Sequence, residues 1–204
     1  MNIIGKMLNP EQFRRYVDNK FFGWFPANKL VLHHTVHPLP EQWKGKNTIY
    51  NLKKYYESKG WTSGPHLFIA PDGIWLFTDM RKNGTHAGAG NRRSIGIEMV
   101  GNFDHKKPEG NIWYFTKCVV TSLNEKLGLK SENIKFHRDY SVKSCPGNAI
   151  TKSWVISELN NFAVFPNGTF LKVEGNPNIY YIWDNVKYHI PDMDTLKFYW
   201  GAFG

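Results

Sequence analysis

The sequence has few cysteines and no long apolar run. Only two cysteines, Cys118 and Cys145, occur among its 204 residues, too few for the disulfide framework of a small secreted domain. No stretch approaches the roughly 20 apolar residues that a transmembrane helix needs. The apolar patch near Met1 is too short for the centre of a signal peptide, and no small-residue cleavage site follows it. We therefore expect a soluble protein that is made in the cytoplasm without a signal peptide.

Negative charge is also scarce. The 26 lysines and arginines outnumber the 17 acidic residues, and the formal net charge is +9 at pH 7. An excess of this size favours a polyanionic partner, which could be nucleic acid, an acidic membrane surface or an anionic cell-wall polymer. No nucleic acid is expected, because the chain has no block of five like charges, no zinc-finger spacing and no RNA-binding aromatic motif. The oligomeric state is left open.

Apolar and aromatic residues, by contrast, are plentiful and follow regular periods. They make up 41% and 16% of the chain, as is typical of a folded protein. Helices are predicted within 9–22, 47–60, 113–129 and 149–162, and strands within 28–34, 65–79, 94–103 and 133–140. The stretch 65–79 contains "APDG" between two apolar runs, which predicts a β-hairpin. Strands that alternate with helices predict an α/β fold.

The pattern changes after Pro166, where three short strand-like runs precede a short helix. The strand-like runs are 168–175, 178–183 and 186–191, and the helix is 192–201. Asp184 and Asn185 are predicted to form a tight turn between the last two strands. We therefore predict a main domain over residues 1–165 and a small β-rich module over residues 166–204. About forty residues rarely build a core alone, so the module packs on the main domain, dimerises or begins a longer module.

The segment "KFHRDYSVKSCPGNA" places His137 and Cys145 around one polar loop. Imidazole and thiolate are good zinc ligands, and a catalytic zinc site uses three protein ligands with a fourth position left open. A histidine from further upstream would complete such a set, and "KLVLHHTVHP" offers His33, His34 and His37. Adjacent strand residues point to opposite faces, so we expect only one ligand from the doublet of His33 and His34.

Four ordered segments resemble one family, the type 2 N-acetylmuramoyl-L-alanine amidases. This family includes phage endolysins, bacterial cell-wall amidases and peptidoglycan recognition proteins. The segments are "LVLHHTV", "WTSGPHLFIAPDGIWLFTD", "THAGAGNRRSIGIEMVGNFD" and "FHRDYSVKSCPG". The resemblance spans most of residues 10–160 and implies a mixed central β-sheet flanked by helices. It also implies a zinc cleft at the strand ends, with the C-terminal module as a small β-rich appendage.

The resemblance assigns roles to five residues. It implies Zn²⁺ as the cofactor, bound by His33, His137 and Cys145. It implies that Glu98 carries the proton from water to the leaving nitrogen, and that Lys143 stabilises the oxyanion. The setting of Glu98 supports its role independently, because an acidic residue within an apolar strand is costly to bury without a purpose.

Four further residues are predicted to contact substrate, and they are His34, Thr35, His66 and His86. An equally good interpretation of His34 is that it is a polar residue of the core. Thr35, His66 and His86 could instead contact the metal ligands and support them. The sequence departs from many endolysins and recognition proteins at Pro65, where those proteins carry a tyrosine close to the zinc. The role of that tyrosine cannot be carried over, which places more weight on the strand glutamate.

The resemblance implies a reaction as well as a fold. That reaction is hydrolysis of the amide bond between N-acetylmuramic acid and L-alanine in peptidoglycan, which lyses the bacterial cell wall. The alternative is a non-catalytic recognition domain that binds peptidoglycan, which would have an incomplete ligand set. The endolysin branch further implies a chain made in the host cytoplasm that reaches the cell wall after membrane permeabilisation. A bacterial amidase derived from a prophage is the other source.

The C-terminal module resembles short β-rich repeats found on bacterial surface and wall-associated proteins. We therefore expect it to bind the cell wall through its aromatic and basic residues, some of which must instead form its core. These residues are Tyr180, Tyr181, Trp183, Lys187 and Tyr188.

Overall fold

A computed structural model describes residues 1–24, 26–163, 168–172, 174–183 and 186–203. The chain divides into two units, Met1–Phe162 and Ala163–Gly204. The boundary predicted between residues 165 and 166 falls within 164–167, outside the described residues, so its position stays a prediction. In the part of the chain that the structure describes, no helix combines the length and the apolar character that a membrane crossing requires.

The first unit contains a six-stranded mixed β-sheet. Its strands are β1 (Lys6–Leu8), β2 (Lys29–His34), β3 (Leu67–Ala70), β4 (Gly73–Leu76), β5 (Ser94–Met99) and β6 (Ile134–Phe136). They lie in the order β1-β4-β3-β5-β2-β6. Strands β3, β5, β2 and β6 are parallel neighbours, while β4 pairs antiparallel with both β3 and β1. The predicted hairpin is confirmed as β3 and β4, and the predicted mixed central sheet is confirmed with it.

Four helices accompany the sheet. They are α1 (Pro10–Asp18), α2 (Lys46–Ser58), α3 (Gly110–Leu127) and α4 (Lys152–Asn160). Helix α1 begins at a capping box, in which Asn9 Oδ1 accepts from the backbone of Gln12 and the Gln12 side chain accepts from the backbone of Asn9, satisfying two otherwise unpaired donors. Helix α3 ends at Gly128, whose φ of 64° is a left-handed conformation that glycine adopts without steric cost.

The core of the first unit lies between the sheet and the helices. Strands β2 and β3 are buried along almost their whole length, as expected where parallel strands are covered on both faces. Helix α1 contributes Phe13 and Val17, both fully buried, and each such side chain stabilises the fold by about 1.5–3 kcal/mol. The ring of Trp113 on α3 stacks on that of Trp154 on α4, with 4.4 Å between the ring centroids.

Parallel pairing brings the carboxyl ends of β2, β5 and β6 to one edge of the sheet. His33 on β2 pairs in register with Glu98 on β5. Strand β6 pairs with the other side of β2 and ends at Phe136, so the next residue, His137, emerges at the same edge. Residues that lie far apart in sequence therefore meet at one end of the sheet.

The second unit is a three-stranded antiparallel sheet followed by a helix. Its elements are β7 (Thr169–Lys172), β8 (Ile179–Trp183), β9 (Val186–Ile190) and α5 (Met193–Phe203). All four match the predicted runs. The predicted turn residues Asp184 and Asn185 lie outside the described residues, and the side chains of Tyr181, Ile182 and Ile190 are buried.

Candidate metal centre and active site

Three potential metal ligands meet at the carboxyl edge of the sheet. The Nδ1 atom of His33 lies 3.1 Å from Nδ1 of His137 and 3.7 Å from Sγ of Cys145. All three ligand atoms lie within 4.8 Å of one another. Bond lengths in tetrahedral zinc sites would place such atoms roughly 3.3 to 3.6 Å apart. The donor set therefore fits a tetrahedral metal ion, and these side chains can hold one.

The two adjacent histidines have different surroundings. His33 joins the ligand cluster, whereas the Nδ1 atom of His34 accepts a hydrogen bond from the backbone N–H of Phe103 at 3.1 Å. The backbone N–H of His34 in turn points at the Cys145 sulfur, 3.4 Å away. Both rings are buried, and the structure places His34 where it supports the cysteine loop. Its predicted contact with substrate stays a prediction.

The loop that carries Cys145 is held by Arg138, a residue for which the sequence provided no functional signal. The guanidinium donates to the carbonyl oxygens of Ser144 at 2.8 Å and Gly147 at 2.9 Å, and also to that of Ile150. The backbone N–H of Arg138 donates to the carbonyl of Cys145 at 2.9 Å. One side chain thus fixes the backbone on both sides of the thiol.

Gly147 is required by the path of this loop. Its φ is 121°, and a Cβ atom built there would lie 2.3 Å from the carbonyl oxygen of Phe103. No real Cβ atom approaches a backbone oxygen so closely, and the φ value itself is strained for any residue with a side chain. The close approach of the two segments therefore depends on glycine.

Glu98 lies beside the ligands with little exposure to solvent. Its Oε1 atom is 3.8 Å from Nδ1 of His33, and its side chain is 12% exposed. Burial raises the pKa of Glu98 to about 8, and the positive charge of Lys143 acts in the opposite direction. A carboxyl group with a pKa near neutrality can both accept and donate a proton, as general acid–base catalysis requires.

Burial and nearby charges also shift the pKa values of the three candidate ligands. Burial lowers the pKa values of His33 and His137, and the charge of Lys143 lowers both further. Burial raises the pKa of the Cys145 thiol, and the Glu98 carboxyl acts in the same direction. Two neutral imidazoles suit metal binding, while a coordinated thiol is deprotonated by the cation that it binds.

Lys143 is exposed on the loop between His137 and Cys145. It forms no salt bridge with any residue that the structure describes, yet its charge lowers the pKa values of Glu98, His33 and His137. The ammonium group therefore contributes positive potential to the cluster while remaining accessible from solvent. Its predicted role at the oxyanion stays a prediction.

Thr35 lies in the turn that follows β2. Its hydroxyl donates to the carbonyl of Pro38 at 2.9 Å and accepts from the backbone N–H of Gly101 at 2.9 Å. The hydroxyl therefore joins two backbone segments next to the site, and His37 in the same turn is exposed. The predicted contact between Thr35 and substrate stays a prediction.

His66 is fully buried, and it lies outside the ligand cluster. Its Nδ1 atom accepts from the backbone N–H of Gly96 at 2.9 Å, and its Nε2 atom lies 2.9 Å from the carbonyl of Lys82. Both ring nitrogens thus have backbone partners, and burial lowers the pKa of the ring to about 4. The structure gives His66 an internal role between β5 and a loop, and its predicted substrate contact stays a prediction.

His86 is brought directly against the ligand cluster. Its Nδ1 atom lies 3.0 Å from Nε2 of His33, and its Nε2 atom lies 3.2 Å from the hydroxyl of Ser94. The ring is buried, and this burial lowers its pKa to about 3. Of its two predicted roles, the contact with a ligand is the one that its position favours. Sequence reasoning did not identify Ser94.

Comparison with known proteins places this arrangement in a family. The family described as N-acetylmuramoyl-L-alanine amidase (Amidase_2) matches residues 24–148, more than half of the chain. The endolysin of Enterobacteria phage T3 is 29% identical over 119 residues, which cover 54% of this chain and 77% of that protein.

Solved structures show the same fold. An endolysin N-acetylmuramoyl-L-alanine amidase from Clostridium intestinale aligns with a TM-score of 0.56 at 26% identity, covering 67% of this chain and 85% of that one. A Drosophila peptidoglycan recognition protein, PGRP-SD, aligns with a TM-score of 0.57 at 22% identity, covering 64% and 80% of the two chains. The second likeness concerns the fold alone. From the family match, this chain belongs to the N-acetylmuramoyl-L-alanine amidase family.

Proposed function

We propose that this chain hydrolyses the amide bond between N-acetylmuramic acid and L-alanine in peptidoglycan, with Zn²⁺ as the cofactor. The observation that carries the proposal is the cluster of His33, His137 and Cys145 with the largely buried carboxyl of Glu98 beside it. Imidazole and thiolate ligands suit zinc, and three protein ligands leave a fourth position for chemistry. Membership of the amidase family supports the choice of bond.

Each side chain of the site has a separate role in amide hydrolysis. When bound, zinc supplies Lewis acidity, which polarises a carbonyl and lowers the pKa of water to about 7. Glu98 accepts the proton of the attacking water and then delivers it to the nitrogen of the departing L-alanine. Lys143 places its positive charge near the carbonyl oxygen, where negative charge develops in the tetrahedral intermediate.

The partner of the site is peptidoglycan, and we propose action on the bacterial cell wall as the wider role. Endolysins and a bacterial amidase among the similar proteins support this role. The three candidate ligands and the largely buried acid beside them favour an enzyme over a recognition domain that only binds. We also propose an anionic wall polymer or a membrane surface as a partner, because the chain carries a net charge of +9.

We further propose that the C-terminal unit binds the cell wall. Trp183 and Tyr188 are 37% and 44% exposed, and exposed aromatic rings can stack on sugars. The ammonium of Lys187 lies 4.2 Å from the ring centroid of Tyr180, which adds a cation to the same sheet. Tyr181, in contrast, is buried and serves the core of the unit.

Digestion of purified peptidoglycan, followed by mass spectrometry, tests the proposed reaction. We expect soluble stem peptides that begin with a free L-alanine amine, together with glycan chains whose lactyl carboxyl groups are free. A chelator should abolish the release of peptides, and added Zn²⁺ should restore it. Cleavage at a glycosidic or peptide–peptide bond would contradict the assigned reaction, and binding without new ends would favour the recognition domain.

A further inference from the structure

We infer that His86 is a positioning residue that, together with Ser94, fixes the proton of His33 on Nε2 and so directs the lone pair of Nδ1 at the metal. The inference rests on the proposed metal site. His86 and Ser94 would act on metal binding through His33, without being ligands themselves. They belong to one chain of hydrogen bonds that starts at His33 and ends at the backbone carbonyl of Asn91.

The direction of that chain follows from its far end. The carbonyl of Asn91 can only accept, so the Ser94 hydroxyl, 2.9 Å away, must donate to it. The hydroxyl has a single proton, so toward His86 it acts as an acceptor, and Nε2 of His86 at 3.2 Å must carry the hydrogen. Hydrogen-bond partners of this kind decide which nitrogen of a histidine is protonated.

The position of the hydrogen on His86 in turn determines that on His33. The charged form of a ring as buried as His86 is disfavoured, so protonation of its Nε2 leaves Nδ1 as an acceptor. The Nε2 atom of His33, 3.0 Å away, must therefore donate to it. Nδ1 of His33 is then unprotonated, and this is the atom that faces His137 and Cys145.

The ring of His86 is held in place by its surroundings. Its backbone N–H donates to Oδ1 of Asn91 at 3.0 Å, and the next residue, Ala87, donates to the same oxygen at 2.7 Å. On the other side, a Cβ atom at Gly96 would lie 2.6 Å from Cγ of His86. Strand β5 therefore leaves space for this ring through a glycine, and the ring stands edge-on to His33 with 5.0 Å between the centroids.

Loss of the hydrogen bond between His86 and His33 should weaken metal binding. If the acceptor at His86 is removed, His33 is free to place its proton on Nδ1, and that tautomer cannot bind a metal through Nδ1. Loss of a hydrogen-bond partner behind a metal ligand typically weakens metal binding by roughly 10–100-fold. We expect this range for His86→Ala and a smaller loss, about threefold to tenfold, for Ser94→Ala.

The test is zinc affinity, measured by chelator competition with the full chain and no peptidoglycan present. His86→Asn is the conservative variant, because its amide oxygen can take the place of Nδ1 as the acceptor, and it should recover most of the affinity that His86→Ala loses. Ser122→Ala is the matched control for Ser94→Ala. Both serines are buried, Ser122 at 6% exposure and Ser94 at 3%. Ser122 lies on α3, outside the described ligand cluster, so the zinc affinity of Ser122→Ala should equal that of the parent chain.

A second measurement reads the tautomer directly. Long-range proton–nitrogen correlation spectra of the zinc-loaded protein should show His86 with its hydrogen on Nε2 and His33 with Nδ1 free of hydrogen. A folded His86→Ala variant with zinc affinity within twofold of the parent would overturn the inference, as would a hydrogen on Nδ1 of His86. If the parent chain itself binds no zinc, the proposed metal site fails instead, so the two failures are distinguishable.

Discussion

The Arg138 side chain offers the sharpest test of how the active-site loop is held. In Arg138→Met the aliphatic stem remains, but the carbonyls of Ser144, Gly147 and Ile150 lose the hydrogen bonds from the guanidinium. The carbonyls of Ser144 and Gly147 keep backbone donors, which are the N–H groups of Gly147 and Ile150. The carbonyl of the buried Ile150 keeps no donor among the described hydrogen bonds, and a buried acceptor left without a partner costs about 1–3 kcal/mol. We expect a loss of about 1–3 kcal/mol in the free energy of unfolding, which corresponds to a fall in melting temperature of roughly 2–12 °C.

The expected defect is not confined to stability, since the same carbonyls lie on both sides of Cys145. Thermal unfolding of the metal-free chain measures the first effect, and zinc affinity by chelator competition should fall by about tenfold or more. Arg14→Met is the control, because Arg14 pairs with Glu125 on the surface and its side chain is 41% exposed. Such a pair contributes at most about 1 kcal/mol. An Arg138→Met protein that melts within 2 °C of the parent and binds zinc equally well would show that the loop is held by other contacts.

Three further substitutions separate the roles at the site. Cys145→Ser should lose zinc and, with it, the rise in melting temperature that zinc gives the parent chain; retention of stoichiometric zinc would remove Cys145 from the ligand set. Glu98→Gln should keep zinc but lower the rate of peptidoglycan hydrolysis by about 10²–10⁴-fold, whereas Glu132→Gln, an exposed glutamate, should hydrolyse at the parent rate. Gly147→Ala should lower both the melting temperature and zinc affinity, because its Cβ would collide with the Phe103 carbonyl; a variant indistinguishable from the parent would show that the loop can shift freely.

Much of the fold could be predicted because its signals are local. Helix α1 begins where Asn9 and Pro10 predict, and the hairpin forms around "APDG" as its turn residues require. Strand β1 was missed, since three residues, Lys6–Leu8, are too few for a period to be visible. Apolar spacing predicts the helix within 47–60 but does not show how wide its covered face is, and Tyr55 on α2 is 54% exposed.

The candidate site also contains residues that the sequence predicts and residues that it does not. The three candidate ligands could be predicted because imidazole and thiolate are rare side chains whose chemistry is recognisable in a motif, and the resemblance supplied their partners. The structure brings their ligand atoms within 4.8 Å of one another, and metal binding itself stays a prediction. The residues that hold them were not found. Arg138 and Ser94 are ordinary in composition, and their partners are backbone carbonyls and a ring nitrogen that only the folded chain brings near. The second unit followed from its strand-like runs, and its wall-binding role stays a prediction.

Strand β6 is three residues long and pairs with β2 on one side only among the described strands. Its edge position means that few backbone hydrogen bonds keep it from fraying. His33 and His137 are 104 residues apart, and an ion bound to both would close a loop of that length in the manner of a covalent cross-link. Closing a loop of about 100 residues removes roughly 4.7 kcal/mol of chain entropy from the unfolded state in the disulfide case. The proposed zinc ion would thus also hold the edge of the sheet, and we expect removal of zinc to cause fraying first at β6.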